Sequence, residues 1–177
     1  MTDARIGDAP AFDAARWEAL TFPERFTVWT VRLWLAAFTG DPDAAPQIRV
    51  AFESVDAVPA IPLLDRLMRV VANGARRPVR FTPVAIPALS EDEGLLLRAV
   101  ELAQADGAVN GAVDGTLVLR GMLTADACRA FRPACRGFAR ALAGAGLRLP
   151  GAAVAAPRPV PAAAPPPRAR RGGGLPR

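Results

Sequence analysis

Thr21-Phe22-Pro23-Glu24 is the feature that most narrows what this chain can become. A Thr followed three positions later by Glu, with Pro in the first turn, is a capping box, in which each side chain satisfies an amide that a helix start leaves without a partner. The helix it opens carries Phe22, Phe26, Trp29, Leu33 and Ala37 at helical spacing, and Val31, Trp34, Leu35 and Phe38 widen the apolar arc. Only a narrow strip through Arg25 and Arg32 reads as wet. The pattern predicts a central core helix that ends near Thr39-Gly40.

The signals around that helix are shorter. A helix is expected from about Pro10 to Ala19, with Phe12 and Trp17 inward. Asp41-Pro42-Asp43 marks a turn and an N-cap for a short helix over Gln47-Ile48-Arg49-Val50-Ala51-Phe52, which Val58-Pro59-Ala60-Ile61-Pro62 breaks. Leu63, Leu64, Leu67, Met68 and Val71 form one side of the next helix, and Asn73-Gly74 stops it. Arg77 to Leu89 contains three prolines and is extended, with a short strand expected at Val79-Arg80-Phe81. Ser90-Glu91-Asp92-Glu93 is a second capping box, opening a helix through Leu95, Leu96, Leu97, Val100 and Leu102 to about Ala105. Its three consecutive acids fan around the axis and read as a solvated helix start rather than a metal site. Asp106-Gly107, Asn110-Gly111 and Asp114-Gly115 indicate a turn-rich connector. A last helical region begins at Thr124 and ends near Gly144 or Gly146, with Pro133 either kinking it or starting a new segment.

No long repeat, heptad series or alternating strand series appears. The expected fold class is therefore all-α, a small orthogonal bundle of about six or seven helices. Its expected organisation is a flexible N-terminus over residues 1–9, a helical domain over 10–149 and a disordered basic tail over 150–177. From Pro150 onward the chain is Ala, Pro, Gly and Arg with a few Val and Leu, too little apolar surface to offset the entropy of ordering it.

Charge sharpens this division. The chain contains no Lys, His or Tyr, so all 22 basic residues are Arg. Ala, Pro, Gly and Arg abound, the skew of a GC-rich bacterial genome, and the pI of 11.0 accordingly says little about function. All 17 acids lie before residue 151, where 17 Arg balance them, so the net charge of +5 resides in the tail. Between Thr116 and Pro150, six Arg face Asp126 alone. The N-terminus lacks a basic segment followed by an apolar one, and Val28 to Phe38 falls far short of the roughly 20 residues of a membrane span. Two Cys outside any CxxC fit a reducing cytoplasm.

Ordinary enzyme chemistry is hard to build here. Without His or Lys, the usual general bases near neutral pH and the Schiff-base amine are missing. Ser90 is explained as a helix cap, and Cys128 and Cys135 fall in a Cys128, Phe131, Cys135, Phe138, Leu142 stripe that reads as core. Zinc has too few ligands, and no Walker A or GxGxxG pattern supports a nucleotide site, so neither a metal nor a cofactor is expected. Arg129, Arg132, Arg136 and Arg140 are spaced 3, 4 and 4 and share one helix face, about 100° from the Cys128–Leu142 stripe. That face is either a solvated surface or, together with Arg168, Arg170 and Arg171, a surface for an acidic partner or for phosphates. The expected function is a non-enzymatic protein-interaction or regulatory module that uses apolar grooves and this Arg-rich face. The alternative is a nucleic-acid-associated accessory protein, although the tail has no aromatic residue to stack on bases.

Overall fold

The computed structural model describes residues 14–106 and 115–150. The expected N-terminal arm, the Gly-rich connector over 107–114 and the tail beyond Pro150, with Arg168, Arg170 and Arg171, lie outside the described residues. The described residues form six α-helices: α1 (Ala14–Glu18), α2 (Phe22–Phe38), α3 (Ala44–Glu53), α4 (Ile61–Gly74), α5 (Glu91–Asp106) and α6 (Ala125–Gly144). Short 3-10 turns, Val58–Ala60 and Gly115–Leu119, precede α4 and α6. The all-α bundle is thus borne out, and no helix among the described residues is long and apolar enough to cross a membrane.

Helix α2 starts as its sequence dictates. The Glu24 carboxylate accepts from the Thr21 amide at 2.7 Å and from the Thr21 hydroxyl at 2.6 Å. Its middle, from Phe26 to Trp34, is buried on nearly every side. Helix α3 packs across it, with the Phe26 and Phe52 rings edge to face at 5.2 Å. Helix α6 lies against both α4 and α5 and buries Phe131, Ala134, Cys135, Phe138 and Leu142. Thr124 caps it by accepting from the Ala127 amide. Pro133 sits inside α6 on its exposed side, and the helix continues through it, so no new segment begins there. Gln104 closes the bundle: its amide donates to Leu147 O and Ala139 O, and its oxygen accepts from the Leu149 amide, which fixes the chain after α6 onto α5.

Four expectations need correction. Arg32 is not on a wet strip; it is 2% exposed in the middle of α2. Its Nε and Nη2 donate to the two Glu93 oxygens at 2.6 and 2.9 Å, and its remaining donors go to Ile86 O at 2.8 Å and Ala88 O at 2.5 Å. The second capping box forms, with Ser90 and Glu93 bonded in both directions, yet its acids are not a solvated start. Asp92 and Glu93 are each 2% exposed and only Glu91 faces water. The strand at Val79-Arg80-Phe81 does not form, and an isolated bridge joins Ala75 to Leu123. Side chains replace the ladder: Asp92 accepts from the Arg80 amide, Glu93 accepts from the Thr82 amide and hydroxyl, and the Ser90 hydroxyl donates to Arg80 O. An extended chain must satisfy its backbone groups somewhere, and here carboxylates and a guanidinium do so. Lastly, Phe22 and Phe38 at the two ends of α2 are exposed, because the apolar arc outruns the helices packed on it.

Gly74 ends α4 for a different reason from the left-handed turn that Asn-Gly suggests: the chain simply turns extended at Ala75. A Cβ at Gly74 would lie 2.1 Å from Ala127 Cβ, so the last turn of α4 and the first turn of α6 need a glycine to meet. Gly74→Ala is expected to destabilise the fold by about 1–3 kcal/mol, the usual cost of overpacking. Urea denaturation checks this, and adding Ala127→Gly should recover part of the loss. Unchanged stability of the single variant would show that the two helices are not in contact there.

Candidate functional site

Among the described residues, two surfaces and one buried network stand out as candidate sites. The buried network is the paired acids of α5. Arg77 Nη1 and Nη2 grip the Asp92 carboxylate at 2.8 and 2.5 Å, and Arg80 N adds a third bond at 2.8 Å. The Arg77 contact, helped by the Arg80 amide and opposed by burial, holds the Asp92 carboxyl below the usual carboxylate range. Both carboxylates are committed to backbone and guanidinium partners. Among the described residues, no three His, Cys, Asp or Glu side chains gather as a metal would require.

The first surface is an apolar groove where α1, α2 and α3 meet, with a volume of about 620 Å³. Trp17, Phe22, Phe26, Trp29 and Val50 line it, with Arg25 the charged group at its edge. Phe22 is 63% and Val50 65% exposed, values that leave two large apolar side chains of one groove facing solvent. The Arg25 guanidinium donates to Glu18 O at 2.8 Å and so ties α1 to α2. Trp17 is held from below, its ring 4.8 Å from the Arg32 guanidinium carbon. The sequence placed Phe22 in the core and therefore missed the groove; the excess of aromatic residues at the start of α2 was its only local signal.

The second surface is a cavity of about 630 Å³ at the start of α6, lined by Arg76, Arg120, Arg129 and Arg132 together with Thr116, Leu123, Ala125 and Cys128. Of the four Arg that share a face in sequence, two reach this cavity. Arg136 is half-buried and Arg140 is exposed further along α6, and neither is among its lining residues. Arg129 pairs with Asp126 one turn back. Arg76 and Arg120 were not foreseen. They arrive because the Ala75–Leu123 bridge clamps two loops together, with Arg76 N donating to Met122 O and Thr124 N to Gly74 O, both at 2.9 Å. No spacing rule links positions 44 residues apart. Cys135 is fully core and burial pushes its thiol up to about 12, whereas Cys128 is half-buried, packed against the core and at the cavity wall, so the expectation of core packing holds fully for the first and in part for the second.

No protein-family model, curated protein or solved structure matches this chain. The side chains themselves must carry the functional argument.

The Asp92 site makes a pH prediction. A carboxyl whose folded pKa is depressed contributes stability above its unfolded value, about 3.9, and loses it as pH falls through the lower folded value. Asp92→Asn is therefore expected to cost about 1.5–3 kcal/mol at pH 7, the range for hydrogen bonds to a charged group. The difference from the parent chain should shrink when urea midpoints are measured below pH 4. A difference that stays constant from pH 7 to pH 3 would contradict the assignment of this carboxylate to Arg77.

Proposed function

We propose that the chain is a non-enzymatic protein-interaction module and that the groove between α1, α2 and α3 is where its partner docks. The observation that carries this reading is the contiguous aromatic surface of Trp17, Phe22, Phe26 and Trp29, open to solvent at Phe22 and Val50. Scattered surface apolar residues are ordinary, but a concave aromatic patch rimmed by polar groups is a feature of binding sites. The lining is almost entirely carbon, with Arg25, Gln47 and Ser54 as its polar groups. The partner that fits it is an amphipathic helix offering two or three large apolar side chains at i, i+3 or i+4, i+7, with a carboxylate near Arg25.

A catalytic role finds little support. His and Lys are missing from the chain, and the buried carboxylates are consumed by structural bonds. A reducing cytoplasmic compartment goes with this reading, since Cys135 sits in the core as a thiol. The nucleic-acid alternative draws on the Arg face of α6, of which Arg129 and Arg132, but not Arg136 and Arg140, line the cavity at its start.

The test is affinity capture from native lysate with the full chain, with Phe22→Asp/Val50→Asp, and with Leu117→Asp as an exposed apolar control outside the groove. A partner should be retained at high salt and after nuclease treatment. Its affinity should fall about thirtyfold or more in the groove variant, the effect of losing a central anchor worth ~2 kcal/mol, and remain unchanged in the control. Binding that survives both groove substitutions, or that disappears with nuclease, would overturn the proposal.

A further inference from the structure

Two of the side chains that line the groove of α1, α2 and α3 are large, apolar and wet: Phe22 is 63% and Val50 65% exposed. Apolar surface gathered in one concave patch is unfavourable in water until something covers it. The edge of the groove adds a charge. Arg25 donates one hydrogen bond, to Glu18 O at 2.8 Å, and has no other partner among the described residues. A guanidinium carries five N–H donors, so most of them stay open to a carboxylate. The occupant that fits is a stretch of chain offering large apolar side chains together with an acid.

One such stretch is attached to the groove itself. Residues 1–13 lead directly into α1, the helix that forms one wall through Trp17. They carry Ile6 and Phe12, with Asp3, Asp8 and Asp13 against Arg5 alone. We propose that in the free chain this segment docks in the groove of its own molecule and has to leave before a partner enters, a regulation that rests on the groove being a docking site.

Reach and local concentration favour this occupant. Along α2, Phe22 and Trp29 lie about 10 Å apart at 1.5 Å per residue. The stretch from Ile6 to Asp13 covers up to about 23 Å when extended, so Ile6 can travel the length of the lining. Its starting point is fixed, since the Arg25 bond and the contact of Trp17 with the Arg32 guanidinium hold α1 beside the groove. A short tether of this kind gives an effective concentration on the millimolar scale, at which weak contacts suffice. With Ile6 and Phe12 as its large apolar anchors, the segment yields to a partner helix that presents three.

Charge and position select this stretch over the one that follows Pro150. The latter holds five Arg and no acid, so it has nothing to set against Arg25. It also starts from the end of α5, where Leu149 N donates to Gln104 Oε1 at 2.9 Å. The wall of the groove, by contrast, lies against the start of α5, with the Arg16 guanidinium 3.1 Å from the place a Gly94 Cβ would occupy. The same segment of a second copy has the right side chains but lacks the shared tether, so its occupancy would rise with protein concentration.

The test uses the full chain at low concentration and Nile red, a neutral dye that reports apolar pockets. Ile6→Ser/Phe12→Ser should bind the dye about tenfold more tightly than the parent, as when the parent groove is open about a tenth of the time, with its helical circular dichroism unchanged. Asp3→Asn/Asp8→Asn should gain about threefold, the scale of an exposed ion pair. Adding Phe22→Asp/Val50→Asp to the first variant should abolish its gain. Equal dye binding by the parent and Ile6→Ser/Phe12→Ser, lost from both on groove substitution, would overturn the self-docking and leave the partner site standing. Dye binding indifferent to Phe22→Asp/Val50→Asp would overturn both. A gain that grows with protein concentration, or one produced instead by Pro165→Ser/Pro166→Ser/Pro167→Ser, would give the groove to a second copy or to the stretch after Pro150, and the proposal would fall.

Discussion

An arginine in the middle of a buried helix has to be satisfied completely, and the architecture of this protein is arranged around doing so. Arg32 directs Nε and one Nη2 hydrogen at Glu93, and its other donors at the carbonyls of Ile86 and Ala88. Glu93 in turn accepts from Thr82 and Ser90. Taking two charges out of water costs several kcal/mol per ion, and mutual attraction offsets this only when the remaining donors and acceptors are filled. The proline-bearing segment between α4 and α5 supplies those groups. It has no sheet to join and no helix to form, so its own carbonyls and amides would otherwise be orphaned. One network thus solves two problems: the charge of α2 and the backbone of residues 80–90.

The two candidate surfaces follow from how this frame is attached to the rest of the bundle. Above Arg32 lies Trp17, and Arg25 ties α1 to α2 from the other side, so α1 is held as a wall of the aromatic groove. Only five residues long, α1 is far too short to be stable as an isolated helix. Its place in the groove depends on these contacts. Across the molecule, the close approach of Gly74 to Ala127 and the Ala75–Leu123 bridge bring the loops after α4 and before α6 together, which converges the four Arg of the cavity.

Local chemistry was legible in the sequence, and long-range chemistry was not. Thr21 with Glu24, Ser90 with Glu93 and Thr124 with Ala127 start their helices as residue type and spacing require. The Phe131, Cys135, Phe138, Leu142 stripe is core as its period demands. Reading Arg32 as wet and Glu93 as solvated was one error made twice, since each is a surface residue by type until its partner 61 positions away is known. A clue was present: Arg32 interrupts the most apolar stretch of the chain, where an exposed charge has no wet face to occupy. The strand at Val79-Arg80-Phe81 failed for a related reason, because carboxylates took the hydrogen bonds a neighbouring strand would have supplied. The cavity escaped because helical spacing groups Arg129 with Arg136 and Arg140, whereas the fold groups it with Arg76 and Arg120.

The central claim, that the buried Arg32–Glu93 pair is what the bundle depends on, is tested most directly by a double-mutant cycle. Unfolding free energies would be measured in urea for the parent chain, Arg32→Met, Glu93→Leu and the double variant. Each single substitution leaves a buried charge without its partner and is expected to cost about 3–5 kcal/mol, while the double variant loses clearly less than the sum. Single losses below about 1 kcal/mol that simply add would be the behaviour of a solvent-exposed pair and would contradict the account.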